Sequence, residues 1–194
     1  MNEIITFNNP DLDGVMSLER AIGSRRSCRS FSSGPLSLDQ IGQLAWAAQG
    51  QDPTGKYRTT PSAGATYPLE LFVVNGDGLY LYIPSKHAID KLGDIDLRAE
   101  LAKVSLGQEF IREAPLTLVL SAEFARTTKP YGQRGVRYVY MEAGHAAQNI
   151  QLQAQAMGLG SVTVGAFDEV AVGEILTMPD YLEPIYMVSI GHGR

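Results

Sequence analysis

One cysteine, one tryptophan and three histidines in 194 residues exclude several kinds of protein at the outset. A lone Cys28 allows no intrachain disulfide and fits a reducing compartment such as the cytoplasm. His87, His145 and His192 are far apart in the chain and follow no ligand spacing, so no metal site is expected. No apolar run reaches the length of a membrane-spanning helix. The start, Met1 to Phe7, has neither the basic flank nor the apolar core of a signal peptide. Positive charge is also scarce: 16 Lys and Arg stand against 21 Asp and Glu, a net charge of -5. That balance argues against a nucleic-acid surface, and nothing points to a membrane.

What is present describes a globular chain. Hydrophobic residues make up 44% and charged residues 19%, and the length fits one domain, residues 1–194, with a core of its own. Residues 1–16 are polar and turn-rich and read as an arm. A short helix is expected at about 17–24. Ser37 followed by Gln40 is a capping-box pattern, and the helix it opens stops near Gly50. Residues 50–68 show no period and form a long loop, the kind that is usually functional. Leu69 to Val74 and Leu79 to Ile83 read as a hairpin around Asn75-Gly76-Asp77-Gly78. A helix near 96–113, a buried strand at 116–120, a long helix over 134–158, a strand at 161–164, a helix to about 178 and a last strand at 185–190 complete the pattern. The expected class is α+β: a small mixed, largely antiparallel sheet flanked by helices.

Against the acidic background, Arg25-Arg26-Ser27-Cys28-Arg29 places three guanidiniums in five positions. Arginine grips phosphate or carboxylate through paired donors, so the cluster suits a planar anionic ligand. It equally suits the C-terminal dipole of the helix before it. The long helix sets Val136, Tyr140, Ala143, Ala147, Ile150, Ala154 and Met157 in alternating steps of four and three, a heptad seam. Such a helix could be buried in its own chain or packed on its counterpart across a dimer axis.

These motifs carry a resemblance. Arg25-Arg26-Ser27-x-Arg29, Pro61-Ser62-Ala63-Gly64-Ala65-x-Tyr67-Pro68 and Met157-Gly158-Leu159-Gly160 with Val164-Gly165-Ala166-Phe167-Asp168 occur in the order seen in FMN-dependent nitroreductases. The Ser-Ala-Gly-Ala-x-Tyr-Pro form and the helix Tyr140 to Asn149 resemble the SagB-type branch, which includes azoline oxidases of peptide natural products. The resemblance implies a homodimer with FMN at the interface. It implies that Arg25, Arg26, Ser27 and Arg29 contact FMN, with Arg194 as a further phosphate ligand. Pro61, Ser62, Ala63, Gly64 and Ala65 would reach the flavin of the other subunit. Val164, Gly165 and Ala166 would run beside the reactive edge of the ring. Gln108 falls near a flavin-contacting position, or is an exposed helix polar.

Two departures stand out. Many nitroreductases carry Asn where Ala65 stands. The azoline oxidases carry a Lys-Tyr pair before the long helix, whereas here Pro130 precedes Tyr131 and Lys129 is displaced by one. Tyr131 is therefore the catalytic candidate without the lysine. The expected activity is an FMN oxidoreductase that passes hydride from NADH, NADPH or another donor to a small electron-poor acceptor such as a nitroaromatic or quinone. Peptide azoline oxidation and a non-catalytic flavin carrier are the alternatives.

Overall fold

The computed structural model describes residues 3–194. Seven strands form one sheet: β1 (Ile4–Thr6), β2 (Leu69–Asn75), β3 (Gly78–Ile83), β4 (Ala88–Gly93), β5 (Leu116–Ala122), β6 (Gly160–Val164) and β7 (Glu183–Gly191). Their order is β1-β4-β3-β2-β5-β7-β6. The pairings between these strands are antiparallel, and a parallel contact is made at the β6 edge by the isolated bridge of Ser27 with Ser161. The expected hairpin is β2–β3, with Val73 opposite Tyr80 and Asn75 opposite Gly78.

The helices are α1 (Leu18–Ser24), α2 (Leu38–Gln49), α3 (Arg98–Val104), α4 (Phe110–Glu113), α5 (Phe124–Tyr131), α6 (Arg134–Ala156) and α7 (Glu169–Ile175). The period-two alternation of the central strands sends side chains to both faces. Leu71 and Val73 of β2 and Leu118 and Leu120 of β5 pack under α2 and α6. Phe72, Val74 and Val119 face the other way, onto α3, α4 and α7 through Leu101, Ile111 and Val172. Each fully buried leucine or valine contributes about 1.5–3 kcal/mol, which is why β5 admits no exposed residue.

Several expectations need correction. Within the segment read as a polar arm, Ile4–Thr6 is a strand that extends the sheet against β4. The single helix expected at 96–113 is broken. Leu106 and Gly107 both take positive φ, 58° and 70°, and this separates α3 from α4. The expected α2 capping box is present: the Ser37 hydroxyl accepts from the Gln40 N–H at 3.2 Å and the Gln40 side-chain Oε1 accepts from the Ser37 N–H at 2.9 Å. On α6, Ala143, Ala147, Ile150 and Ala154 of the heptad seam are buried in the chain's own core, so this stripe is intramolecular. Tyr140 is exposed.

Candidate functional site

The arginine segment follows α1 and lies along the free edge of β6. Ser27 pairs with Ser161 in a parallel bridge, and the Cys28 N–H donates to the Ser161 carbonyl at 3.0 Å. Close approach requires Gly160: a Cβ there would stand 2.7 Å from the Cys28 side chain. Cys28 packs beside Phe31, Ala114 and Val162, so it anchors the segment rather than offering chemistry. The chain end returns to the same place. The Ser32 N–H donates to the His192 carbonyl at 2.9 Å and the Arg194 N–H to the Ser30 carbonyl at 3.1 Å.

Arg25, Arg26, Ser27, Arg29 and Arg194 are thus brought to one edge. Arg25 is half-buried, and Arg26, Arg29 and Arg194 are exposed. Among the described residues none of these four guanidiniums is in an ion pair. Arg26 realises the modest alternative as well: its Nη1 donates to the carbonyls of Gly23 and Arg25 at 3.1 and 2.7 Å, closing the C-terminal end of α1. Its other nitrogens remain for a ligand. Arg29 lies over the Phe110 ring, 6.0 Å from its centre.

That contact leads to the next expected group. Gln108, just before α4, directs its Nε2 to the carbonyls of Ser105 and Ala166 at 2.8 and 3.1 Å. The side chain fixes segment 165–166 with the very donors a flavin contact would need. Val164 buries its side chain in the core, whereas Gly165 and Ala166 are exposed. The α7 cap completes the turn: the Asp168 N–H donates to the Val104 carbonyl at 2.9 Å, and the Asp168 carboxylate accepts from the Ala171 N–H at 3.0 Å.

Pro61, Ser62, Ala63, Gly64 and Ala65 form a second group elsewhere, on α5 and the first half of α6. Thr66 and Thr127 share a hydrogen bond of 2.8 Å, and Arg126 donates to the Tyr67 carbonyl at 3.0 Å. Gly64 has φ +60°, and a Cβ there would lie 2.6 Å from the Tyr131 hydroxyl. Tyr131 therefore sits directly on the glycine of the loop, with Tyr138 edge-on at 5.2 Å. The two groups are fixed to opposite ends of α6. From Glu142, which faces Ser62, to Ala156 the helix advances about 21 Å.

Sequence reasoning missed Glu142 and Arg58, which lie under the loop. Arg58 donates to the Gln49 side chain at 2.6 Å and to the Leu69 carbonyl at 3.0 Å. Burial pushes the Glu142 carboxyl up to about 7, against the opposing pull of Ser62 and Arg58. One signal was available: Glu142 stands between Val139 and Ala146, on the apolar stripe of the helix.

Residues 22–192 match the pattern of the nitroreductase family. The chain belongs to that family. A Methanocaldococcus jannaschii protein named as a nitroreductase is 41% identical over 98% of both chains. A solved nitroreductase-named structure from Ralstonia eutropha is 31% identical, covers 98% of this chain and 90% of that one, and superposes with a TM-score of 0.89. The microcin B17-processing protein McbC of Escherichia coli is 29% identical over 60% of this chain but only 47% of its own length. An FMN reductase [NAD(P)H] of Bacillus subtilis is 23% identical over 89% of this chain and 64% of its own. This nitroreductase-family chain is an oxidoreductase, and the McbC match accords with the SagB-type form of its loop.

The donor set fits FMN. Guanidiniums in no ion pair among the described residues suit a phosphate dianion, and the exposed backbone at 165–166 suits the edge of a planar ring.

Proposed function

We infer that this family member is an FMN-dependent oxidoreductase that carries electrons from a reduced nicotinamide to a small electron-poor acceptor, as a homodimer. The observation that carries this reading is the gathering of Arg25, Arg26, Arg29 and Arg194, none in an ion pair among the described residues, along the edge of β6, the strand that runs into the exposed Gly165–Ala166 backbone. FMN, when bound, supplies a two-electron carrier that accepts hydride from the donor and returns it to the acceptor. Arg25, Arg26, Ser27, Arg29 and Arg194 bind its phosphate and balance negative charge. Gln108 holds the carbonyl of Ala166 and so keeps the 165–166 backbone oriented.

Dimerisation follows from the two separated groups. Pro61–Ala65 of one protomer would meet the arginine edge of its partner. Exposed apolar residues support a partner: Val15 is fully exposed, and Leu12, Leu18, Ile22 and Met141 are more than half exposed. Among the described residues no helix is long and apolar enough to cross a membrane, and with its single thiol the protein is proposed to work in the cytoplasm.

A second reading, oxidation of peptide azolines, is favoured by Tyr131 at the flavin-facing loop and by the McbC match. Pro130 in the lysine's place weighs against it. One experiment separates the readings. Purified protein should be yellow and should bleach anaerobically with NADH or NADPH, then recover its colour with a quinone or nitroaromatic. Failure to bleach with either donor would favour a flavin carrier. Recovery with an azoline peptide but no small acceptor would favour the oxidase.

A further inference from the structure

Glu142 has no role in the reading above, and its position is costly. It lies on the core side of α6, only 3% exposed, and its Oε1 has no hydrogen-bond partner. Ser62 and Arg58 of the loop face the carboxyl. Arg58 is engaged elsewhere: besides Gln49 and Leu69 it lies over the Tyr67 ring at 5.1 Å and feels Glu70 of β2 and Arg126 of α5. The α2 residue that Arg58 bonds, Gln49, is neutral, and its buried Nε2 is likewise without a hydrogen-bond partner. A carboxylate buried with an unsatisfied oxygen is expensive, and a neutral carboxyl much less so.

The cover over Glu142 is the loop. Pro61, Gly64 and Ala65 are exposed. Gly64, Ala65 and Tyr67 all take positive φ, 60°, 52° and 45°, so two non-glycine residues are held in a strained conformation. A few bonds hold it: the Ser62 hydroxyl accepts from the Tyr67 N–H at 2.9 Å, and Thr127 and Arg126 hold Thr66 and Tyr67. Lifting this loop gives the carboxyl access to water and relaxes the backbone.

We propose that Glu142 is a positioning residue: loop 61–67 closes over its neutral form, and opening of the loop lets it ionise, so the flavin-facing surface is linked to a proton. The consequence for flavin rests on the function proposed above, whereas the linkage is a property of the chain alone. Burial raises the carboxyl to about 7 from an ordinary 4.5. The open form ionises at the lower value, so rising pH favours opening. Between about pH 6 and about pH 8.5 the opening equilibrium grows roughly tenfold.

Hydrogen–deuterium exchange of the purified protein tests this, read on a peptide spanning residues 59–68 and corrected for intrinsic rates, with β5 as internal control. In the wild type the loop should lose roughly tenfold in protection between those two pH values while β5 does not. Glu142→Gln, or Glu142→Met should the amide not be accommodated, should abolish that difference. Ser62→Ala keeps the carboxyl and removes the clasp on Tyr67, so it should lower protection at both pH values and keep the pH dependence. FMN affinity of the wild type should weaken over the same range and that of Glu142→Gln should not. A wild-type loop indifferent to pH, or the same dependence in the Gln and Met variants, overturns the proposal. Failure of the flavin site looks different: FMN is not taken up at either pH while the loop still titrates.

Discussion

Arg25 and Arg26 are adjacent and alike in charge, yet their surroundings separate them. The Arg25 side chain makes no hydrogen bond recorded within the described residues, whereas Arg26 also closes α1 through the Gly23 and Arg25 carbonyls. A bidentate charged hydrogen bond contributes about 1.5–3 kcal/mol, so Arg25→Ala and Arg26→Ala should each weaken FMN binding by roughly ten- to a hundred-fold, read by fluorescence titration. The FMN-free proteins should differ. Arg25→Ala should melt like the wild type, while Arg26→Ala should lose about 0.5–1.5 kcal/mol with its two carbonyl bonds. Equal FMN affinity in wild type and both variants would remove the arginine edge from the site. Gly64→Val is the companion change. It demands a β-branched residue at φ +60° and a Cβ 2.6 Å from the Tyr131 hydroxyl; the left-handed conformation alone costs roughly 1–2 kcal/mol. FMN affinity or turnover should fall while the sheet stays intact by circular dichroism. The motif residues were legible because they are out of place in composition: arginines in an acidic chain, and glycine among serine and proline. Glu142 was passed over because its one signal, a carboxylate on the apolar stripe of α6 between Val139 and Ala146, gains meaning only once that stripe is known to be buried.

Among the elements, those with strong local signals were legible. The β2–β3 hairpin announces itself by Asn75-Gly76-Asp77-Gly78, and α2 by its capping box. β1 and β4 were missed because three residues, and six residues that include Asp90 and Lys91, carry too little apolar alternation. They are strands because each completes the other's ladder. α5 was hidden by Pro130 near its end, and its structure is imposed by packing on α6. Helix α6 was read correctly in extent, but its heptad seam could not say which body covers it; the core under α2 does. The same helix sets a pH dependence of the whole fold. Glu142 ionises near 7 when folded and near 4.5 when not. Between those values the unfolded chain loses its proton first, so stability falls as pH rises through this window and levels off above it. The loss should reach about 3 kcal/mol. Thermal melts from about pH 4.5 to about pH 8 should show the fall in the wild type and a flatter profile in Glu142→Gln. Identical profiles would mean that the carboxyl is solvated.

At the scale of the molecule, the loop group packs on the first half of α6 near Glu142, whereas the arginine edge meets β6 just after that helix ends, about 21 Å further along its axis. In the proposed two-fold dimer, the loop of each protomer would reach the arginine edge of the other, and both sites would be equivalent. Complementation tests it more sharply than sedimentation alone. Arg25→Ala damages the arginine edge and leaves the loop; Gly64→Val damages the loop and leaves the edge. In a mixed dimer built from one of each, one site combines both defects, and the other combines an intact edge with an intact loop. Random re-association makes half of the dimers mixed, and half of the sites in those are whole. At an FMN concentration that fills the wild type but leaves either variant alone largely empty, co-refolding the two weakened proteins should therefore restore roughly a quarter of the wild-type FMN sites and turnover. If edge and loop served the same flavin within one chain, every site in the mixture would carry one defect and nothing would return. Recovery in the mixture, with none in either variant refolded alone, is the outcome expected of a site assembled from two chains.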